Sequence, residues 1–289
     1  MNKGTPAKAP RPDERIRLFL ADVDGALVTR DKVLTVGAQA AVRALREAGI
    51  ELAITSGRPP RGMRMLVEPL ALTTPIAGFN GGVFVNPDLT VIESHTLDPA
   101  AARETVALIG KQGLDVWVYT ETEWLIRDPN APHVARETWT VKFDARVVPE
   151  FTDEHLSRTV KIVGISDDLP RVAACEKAAW DALGDRASAA RSQPYYLDVT
   201  NPKANKGVVV AMLSSRLGIP SSQIATMGDM PNDVLMFRKS GLSIAMGNAS
   251  PEVQAQADLV TDSYDDEGFA KAMERFILHL AGAALPRAS

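Results

Sequence analysis

The stretch IRLFLADVDG, residues 16–25, decides the fold that we predict for this chain. From Ile16 to Val23 it is nearly continuous in apolar side chains, and two aspartates, Asp22 and Asp24, lie at its end. Such a run is typical of a central parallel strand that is buried on both faces of a sheet. We therefore expect an α/β fold in which both aspartates lie at the carboxyl end of a buried strand.

The next residues predict the crossover that a parallel sheet requires. Apolar side chains recur at helical spacing over 37–48, Gly49 supplies a stop signal, and the apolar run 50–55 predicts a second strand. A strand, a helix and a strand with short connections form a βαβ unit, which brings the carboxyl ends of both strands to one edge of the sheet. Ser56 is therefore expected beside Asp22.

The middle of the chain differs in character from its ends. After a helix expected over 59–72, the residues between 98 and 197 contain every tryptophan and predict a mixture of strands and helices. The α/β alternation resumes with a helix predicted over 206–217. This pattern indicates a Rossmann-like, doubly wound parallel-sheet core that carries an inserted α+β domain. The expected limits are a flexible tail over 1–14, a core made of 15–85 and 199–289, and an inserted domain over 86–198.

Composition excludes several classes of partner. The net charge is -4, with 32 basic and 36 acidic residues, so no strongly basic face for nucleic acid is expected. No segment approaches the roughly 18 apolar residues of a membrane span, and no signal peptide is recognisable at the N-terminus, which predicts a cytoplasmic protein. Cys175 is the single cysteine, which excludes an internal disulfide, and its helical surroundings predict a buried thiol.

Four polar motifs follow predicted strands or open predicted helices. In an open α/β sheet the carboxyl ends of the strands form the ligand crevice, so the position of these motifs is informative. The pairing of D-x-D-G with G-D-x-x-N-D, each directly after an apolar strand, is the strongest signal in the chain. The motifs are Asp22-Val23-Asp24-Gly25, Thr55-Ser56-Gly57-Arg58, Lys206-Gly207 and Gly228-Asp229-Met230-Pro231-Asn232-Asp233.

Structural explanations exist for the aspartates. Asp22 and Asp24 could form an ordinary polar turn, and an acidic residue near a helix start, such as Asp229 or Asp233, could be a helix cap. A calcium loop of the EF-hand type is rejected, because Ala26 replaces an oxygen ligand and an apolar valine replaces the closing glutamate. Capping explains one acid of the later motif but not both.

For the lysine and for the hydroxyl residue of the site, the sequence offers more than one candidate. Lys206 would lie in the first turn of a helix, where its charge opposes the helix dipole, so an anion nearby would justify it. A solvated lysine remains possible, and Lys203 competes for the same role. Thr55 likewise competes with Ser56 as the hydroxyl at the end of the second strand, and spacing alone does not decide between them.

Charge counting indicates what this crevice binds. Four aspartates at one sheet edge repel one another unless cations offset them. One Mg²⁺ ion, the Lys206 ammonium and one retained proton bring the sum to about zero, which leaves room for a phosphate dianion. Oxygen ligands with a substrate phosphate suit Mg²⁺. The residues therefore predict metal-dependent phosphoryl transfer.

The order of the four motifs resembles that of the haloacid dehalogenase superfamily of phosphatases. The large insertion between Ser56 and Lys206 matches the type 2 cap subgroup, so the inserted domain would be a cap. Within that subgroup, Asn80-Gly81-Gly82 and Met246-Gly247-Asn248-Ala249 are similar to the Cof-type sugar phosphatases.

The resemblance implies a role for each site residue. Asp22 would be the nucleophile and Asp24 the general acid and base. Asp22, Asp229 and the backbone carbonyl of Asp24 would hold Mg²⁺, with Asp233 as an additional or outer ligand. The family pattern prefers Ser56 to Thr55 and Lys206 to Lys203. The residues expected to bind phosphate are Ser56, Gly57, Lys206 and Asn232.

The resemblance implies hydrolysis of a small phosphorylated metabolite through an aspartyl-phosphate, with sugar phosphates first among the candidates. An alternative is a phosphosugar mutase similar to phosphomannomutases, which share this cap type. A third, less favoured hypothesis is a non-catalytic phosphate-binding module. We expect a monomer or a homodimer with no nucleic-acid or membrane partner.

Overall fold

The computed structural model describes residues 15–278, which divide into two compact units. The first unit contains residues 15–56, 65–76 and 205–278, and the second contains 57–64 and 77–204. The tail predicted over 1–14 lies outside the described residues. The limits expected for the core and the inserted domain stay a prediction.

The elements are numbered in chain order. The strands are β1 Leu18–Asp22, β2 Glu51–Thr55, β3 Ile76–Gly78, β4 Val83–Val85, β5 Val91–Ser94, β6 Asp115–Thr120, β7 Trp124–Ile126, β8 Arg146–Val147, β9 Thr159–Ile165, β10 Ser188–Gln193, β11 Tyr196–Thr200, β12 Ile224–Gly228, β13 Leu242–Ala245 and β14 Leu259–Val260. The α-helices are α1 Val36–Glu47, α2 Val67–Leu70, α3 Pro99–Lys111, α4 Val134–Val141, α5 Asp153–Ser157, α6 Leu169–Leu183, α7 Lys206–Leu217, α8 Val234–Phe237, α9 Pro251–Gln254 and α10 Gly268–Ala272.

The first unit is built on a parallel sheet with the strand order β14-β13-β12-β1-β2. Every residue of β1 is buried, as expected for a strand covered on both faces. In the register, Asp22 at the end of β1 is opposite Thr55 at the end of β2, and Ala21 is opposite Met227 of β12. The carboxyl ends of these three strands therefore share one edge.

Helix α1 shows how the sequence forms the crossover between β1 and β2. The side chain of Thr35 accepts a hydrogen bond from the backbone N–H of Ala38 at 3.0 Å, which caps the helix start. The apolar face buries Ala38, Ala41, Val42 and Leu45. Gly49 then takes a φ of 74°, so the chain leaves the helix at the predicted point.

The second unit contains a mostly antiparallel sheet with the order β10-β11-β9-β6-β7-β8, in which only the β7–β8 pair is parallel. One face of this sheet packs against α3 and α6 in an apolar core that includes Val116, Val118, Ile109 and Cys175. Cys175 is buried as predicted, and burial raises the pKa of its thiol to about 11.

The segment predicted to be helical over 59–72 is helical from Pro60 to Leu70, but it is not one continuous α-helix. The chain forms a 3₁₀ segment from Pro60 to Leu66, and α2 begins only at Val67. Pro69 lacks a backbone N–H and its ring would clash with a preceding carbonyl, so it is tolerated only within the first turn of a helix. Among residues 15–278, no helix combines the length and the apolar character needed to cross a membrane.

Candidate active site

The predicted strand-end aspartates and Lys206 come together in the first unit. β1 ends at Asp22, Ser56 directly follows β2, and Asp229 directly follows β12. The helix α7 begins at Lys206 after the cap residue Asn205, whose side chain accepts a hydrogen bond from the third residue of the helix. Parallel neighbours thus carry the acidic motifs to one edge, as the strand pattern predicted.

Lys206 is the centre of a buried ion cluster. Its Nζ donates to Asp22 Oδ1 at 2.6 Å and to Asp233 Oδ1 at 2.5 Å. The exposed fractions of the three residues are 2% for Lys206, 4% for Asp22 and 0% for Asp233. Burial by itself favours the neutral amine, yet the attraction of the two carboxylates raises the pKa of Lys206 above its ordinary value.

The aspartates are crowded enough to need more positive charge than Lys206 supplies. Burial raises the pKa of Asp22 well above its ordinary value, against the attraction of Lys206, and repulsion from Asp233, Asp24 and Asp229 raises it further. Burial and the charge of Asp233 raise the pKa of Asp229 to about 7. A cation bound among these carboxylates would lower both pKa values.

The residues present fit a divalent metal ion. Asp22, Asp229 and Asp233 each offer a carboxylate oxygen, and these atoms lie within 4.8 Å of one another. Asp229 Oδ1 is buried, and no hydrogen-bond donor among residues 15–278 reaches it. A buried carboxylate oxygen without a donor is costly, so a cation is the partner that it lacks.

Gly25 makes room for Asp229. A Cβ atom at Gly25 would lie only 2.3 Å from Asp229 Oδ2, and the residue has a φ of +83° that favours glycine. Glycine is therefore required at position 25, because Asp229 of the G-D-x-x-N-D motif approaches the D-x-D-G motif closely at this point.

Asp233 organises the loop that carries Asp229. Its Oδ2 accepts hydrogen bonds from the backbone N–H groups of Asp229, at 2.9 Å, and Met230, at 2.8 Å, while Oδ1 accepts from Lys206. Because both oxygens already have donors, Asp233 is better placed to support the site than to be a principal metal ligand.

Asn248 connects the D-x-D-G motif to the G-D-x-x-N-D motif. In the sequence it was noted only as part of the resemblance to Cof-type phosphatases, without a role. Its Nδ2 donates to the Gly25 carbonyl and to Asp229 Oδ2, each at 3.0 Å. Its Oδ1 accepts from the backbone N–H of Tyr264 at 3.2 Å. The amide thus orients one oxygen of Asp229 and leaves the other available.

Asp24 lies beside the cluster, and its carboxylate has two other partners. Oδ1 contacts Lys32 Nζ at 2.5 Å, and Oδ2 accepts from Ser56 Oγ at 3.1 Å. The carboxylate oxygens of the potential metal cluster come from other aspartates, and the expected contribution of the Asp24 backbone carbonyl stays a prediction. Sequence reasoning missed Lys32, because it lies in a turn and belongs to none of the four motifs.

Ser56 and Thr55, the two candidates for the hydroxyl at the end of β2, differ in their contacts. Ser56 contacts Asp24, whereas the Thr55 hydroxyl is buried and no hydrogen bond to it is present among the described residues. Lys206 contacts Asp22 directly. Of the other predicted phosphate ligands, Gly57 belongs to the second unit, and Asn232 belongs to the 3₁₀ turn Pro231–Asp233 of the first. Their role stays a prediction.

Comparison with known proteins identifies the family. Residues 19–273 match the family model of haloacid dehalogenase-like hydrolases. The chain belongs to that family. It is therefore an enzyme, a hydrolase acting on phosphate esters. Enzymes of this family generally need a divalent metal ion, which agrees with the carboxylate cluster.

Curated relatives and solved structures extend this result. The chain is 26% identical over 269 residues to the 5-amino-6-(5-phospho-D-ribitylamino)uracil phosphatase YcsE of Bacillus subtilis, covering 93% of this chain and 98% of that protein. It is 24% identical to the pyridoxal phosphate phosphatase YbhA of Escherichia coli, covering 88% and 96%. A haloacid dehalogenase-like hydrolase from Bacteroides thetaiotaomicron superposes with a TM-score of 0.84 at 24% identity, covering 90% and 99%. The predicted fold class is confirmed.

Proposed function

We propose that this hydrolase releases phosphate from a small phosphomonoester in an Mg²⁺-dependent reaction with an aspartyl-phosphate intermediate. The observation that carries the proposal is the buried Asp22 carboxylate, which is held by Lys206 at 2.6 Å beside Asp229 Oδ1, an oxygen to which no group in residues 15–278 donates a hydrogen bond. An ordinary structural ion pair would not need a second carboxylate with one buried oxygen free of donors from the described residues.

The proposed metal ligands are Asp22, Asp229 and the backbone carbonyl of Asp24, with Asp233 in a supporting position. The side chains that cluster here offer oxygen donors, which Mg²⁺ prefers over nitrogen or sulfur. A bound ion would offset the negative charge of the carboxylates and of the phosphoryl oxygens.

In the proposed reaction Asp22 attacks the phosphorus atom in line, so a bond from its carboxylate to phosphorus forms as the bond to the leaving oxygen breaks. Asp24 gives a proton to that oxygen. It then takes a proton from the water that hydrolyses the aspartyl-phosphate. Lys206 and Ser56, with Gly57 and Asn232, would hold the phosphoryl oxygens, where stabilisation of charge contributes most to catalysis.

The proposed substrate is a sugar phosphate or a similar phosphorylated metabolite. The names of relatives support a small organic phosphate: one acts on a ribitylaminouracil phosphate and another on pyridoxal phosphate. One structural neighbour at 22% identity is described as a sugar phosphatase. A cytoplasmic location and a monomeric or homodimeric state stay predictions.

A phosphate-release assay over a panel of metabolite phosphates, with and without Mg²⁺, tests the proposal. The wild type is expected to turn over at least one ester only with the metal. Asp22→Asn is expected to lower that turnover by about 10³-fold or more, because the nucleophile is lost while the shape is kept. Asp266→Asn, at an exposed position of the same unit, is the matched control. Full activity of Asp22→Asn would refute the nucleophile assignment.

A further inference from the structure

We infer that Lys32 is a positioning residue for Asp24, an inference that rests on the proposed function. Lys32 Nζ lies 2.5 Å from Asp24 Oδ1. Asp24 is the group proposed to exchange protons with the leaving oxygen and with water. Lys32 would act through this carboxylate, without touching the phosphoryl group itself.

The turn before α1 directs Lys32 toward Asp24. The backbone N–H of Lys32 donates to the Thr29 carbonyl at 2.9 Å, and the Thr29 N–H donates to the Val33 carbonyl at 3.0 Å. Lys32 has a φ of 63°, a left-handed conformation that is unfavourable for most residues other than glycine. A turn alone would favour glycine or asparagine here, so the long cationic side chain is the feature that needs an explanation.

The pair is shielded from solvent. The exposed fractions are 17% for the Lys32 side chain and 28% for Asp24, so the attraction is screened less than in a surface ion pair. Ser56 Oγ donates to the other oxygen, Asp24 Oδ2, at 3.1 Å. Lys32 and Ser56 together restrain both oxygens and so limit rotation of the carboxylate. When a phosphoryl group engages Ser56, Lys32 still holds Asp24.

The consequence concerns the leaving group. A misplaced general acid slows the departure of a poor leaving group, because an alkoxide needs its proton as the bond to phosphorus breaks. A nitrophenolate leaves without that help. Loss of Lys32 is therefore expected to affect alkyl phosphates far more than aryl phosphates, a contrast that general loss of structure would not produce.

The experiment compares Lys32→Met, Lys32→Arg and the control Arg30→Met on two substrates with Mg²⁺ present. Arg30 is an exposed cation in the same turn. The substrates are p-nitrophenyl phosphate and the best alkyl phosphate found in the metabolite panel. Lys32→Met is expected to lower kcat/KM for the alkyl phosphate by roughly 10- to 100-fold, because kcat/KM reports the steps up to departure of the leaving group. For the aryl phosphate the loss of kcat/KM is expected to stay below about 3-fold, because this parameter excludes hydrolysis of the aspartyl-phosphate, in which Asp24 also takes part. Lys32→Arg is expected to recover part of the loss, because it keeps the charge.

The possible results distinguish failure of the positioning role of Lys32 from failure of the proposed phosphatase function. A wild type that hydrolyses neither ester would refute the proposed function. An active wild type whose Lys32→Met variant loses the same factor in kcat/KM on both substrates, or loses nothing, would refute only the positioning role. A crystal structure of Lys32→Met gives a readout besides activity: the Asp24 carboxylate is expected to rotate from its present place, and an unchanged carboxylate would overturn the inference.

Discussion

Lys206 and Asp22 are 184 positions apart in the chain, yet Lys206 Nζ lies 2.6 Å from Asp22 Oδ1 with both residues buried. Lys206 opens α7, where its charge opposes the positive end of the helix dipole. The helix therefore gains nothing locally from a lysine at this place. Its position is explained by the two carboxylates that it holds, Asp22 and Asp233.

Lys206→Met is expected to abolish turnover and to destabilise the metal-free protein by about 3–5 kcal/mol, because it leaves two buried carboxylates without their cation. Saturating Mg²⁺ is expected to restore part of this loss. Urea unfolding in EDTA and in Mg²⁺ measures both effects. Lys239→Met, at an exposed lysine, is the control and is expected to change stability by less than about 0.5 kcal/mol. A Lys206→Met protein as stable as the control would contradict the prediction.

The sequence predicted that the polar motifs meet at one edge of the sheet, because the signals for the strands and helices are local and periodic. The apolar run before Asp22 indicates a buried strand, and the helix that follows requires a parallel neighbour, so Ser56 had to end near Asp22. A lysine at a helix start marked Lys206 as a candidate, and the family pattern preferred it to Lys203. The structure brings both of them to the aspartates.

The residues that the sequence did not reveal act through tertiary contacts, which leave no trace in the hydrophobic periodicity of the chain. Lys32 reaches Asp24 only because of a left-handed turn, and Asn248 joins Gly25 to Asp229 across more than 200 positions of chain. The edge strand β10 likewise gives no signal in the sequence: its residues, SAARSQ, are exposed at all but one position and lack the apolar alternation that predicts a strand.

Gly25→Ala tests the close approach of the first and last motifs. The new Cβ would meet Asp229 Oδ2 at 2.3 Å, and the φ of +83° is strained for alanine. Displacement of Asp229, the proposed metal ligand, is expected to weaken Mg²⁺ binding by about 10-fold or more, which isothermal titration calorimetry measures.

Gly110→Ala is the matched control for that substitution. Gly110 lies inside α3, and no atom lies within 4 Å of a Cβ added there. This change is expected to leave Mg²⁺ binding unaltered and to stabilise the protein by about 0.5–1 kcal/mol, because alanine favours the helix. If Gly25→Ala bound Mg²⁺ as tightly as Gly110→Ala, the proposed metal site would lie elsewhere.

Asp229 predicts a pH dependence with a definite sign. Its pKa is raised to about 7 in the metal-free protein, against an ordinary value of 3.8. The folded state therefore binds more protons at Asp229 than the unfolded state does between these values, so this residue makes stability fall as pH rises from about 4 to about 7. Urea unfolding in EDTA at several pH values is the measurement. Asp229→Asn lacks this titration, so the wild type is expected to lose stability relative to that variant across the window.

The affinity for Mg²⁺ is expected to rise with pH, whereas the contribution of Asp229 to the stability of the metal-free protein falls. The ion competes with the proton on Asp229. As pH rises toward about 7, the apparent Kd for Mg²⁺ is therefore expected to fall about tenfold per pH unit, and above about 7 it is expected to change less. Calorimetry in buffers with different ionisation heats measures the protons released. Release that persists well above pH 7 would point to Asp22, whose pKa is also raised. Binding that is independent of pH between 5 and 7 would show that Asp229 is not a ligand.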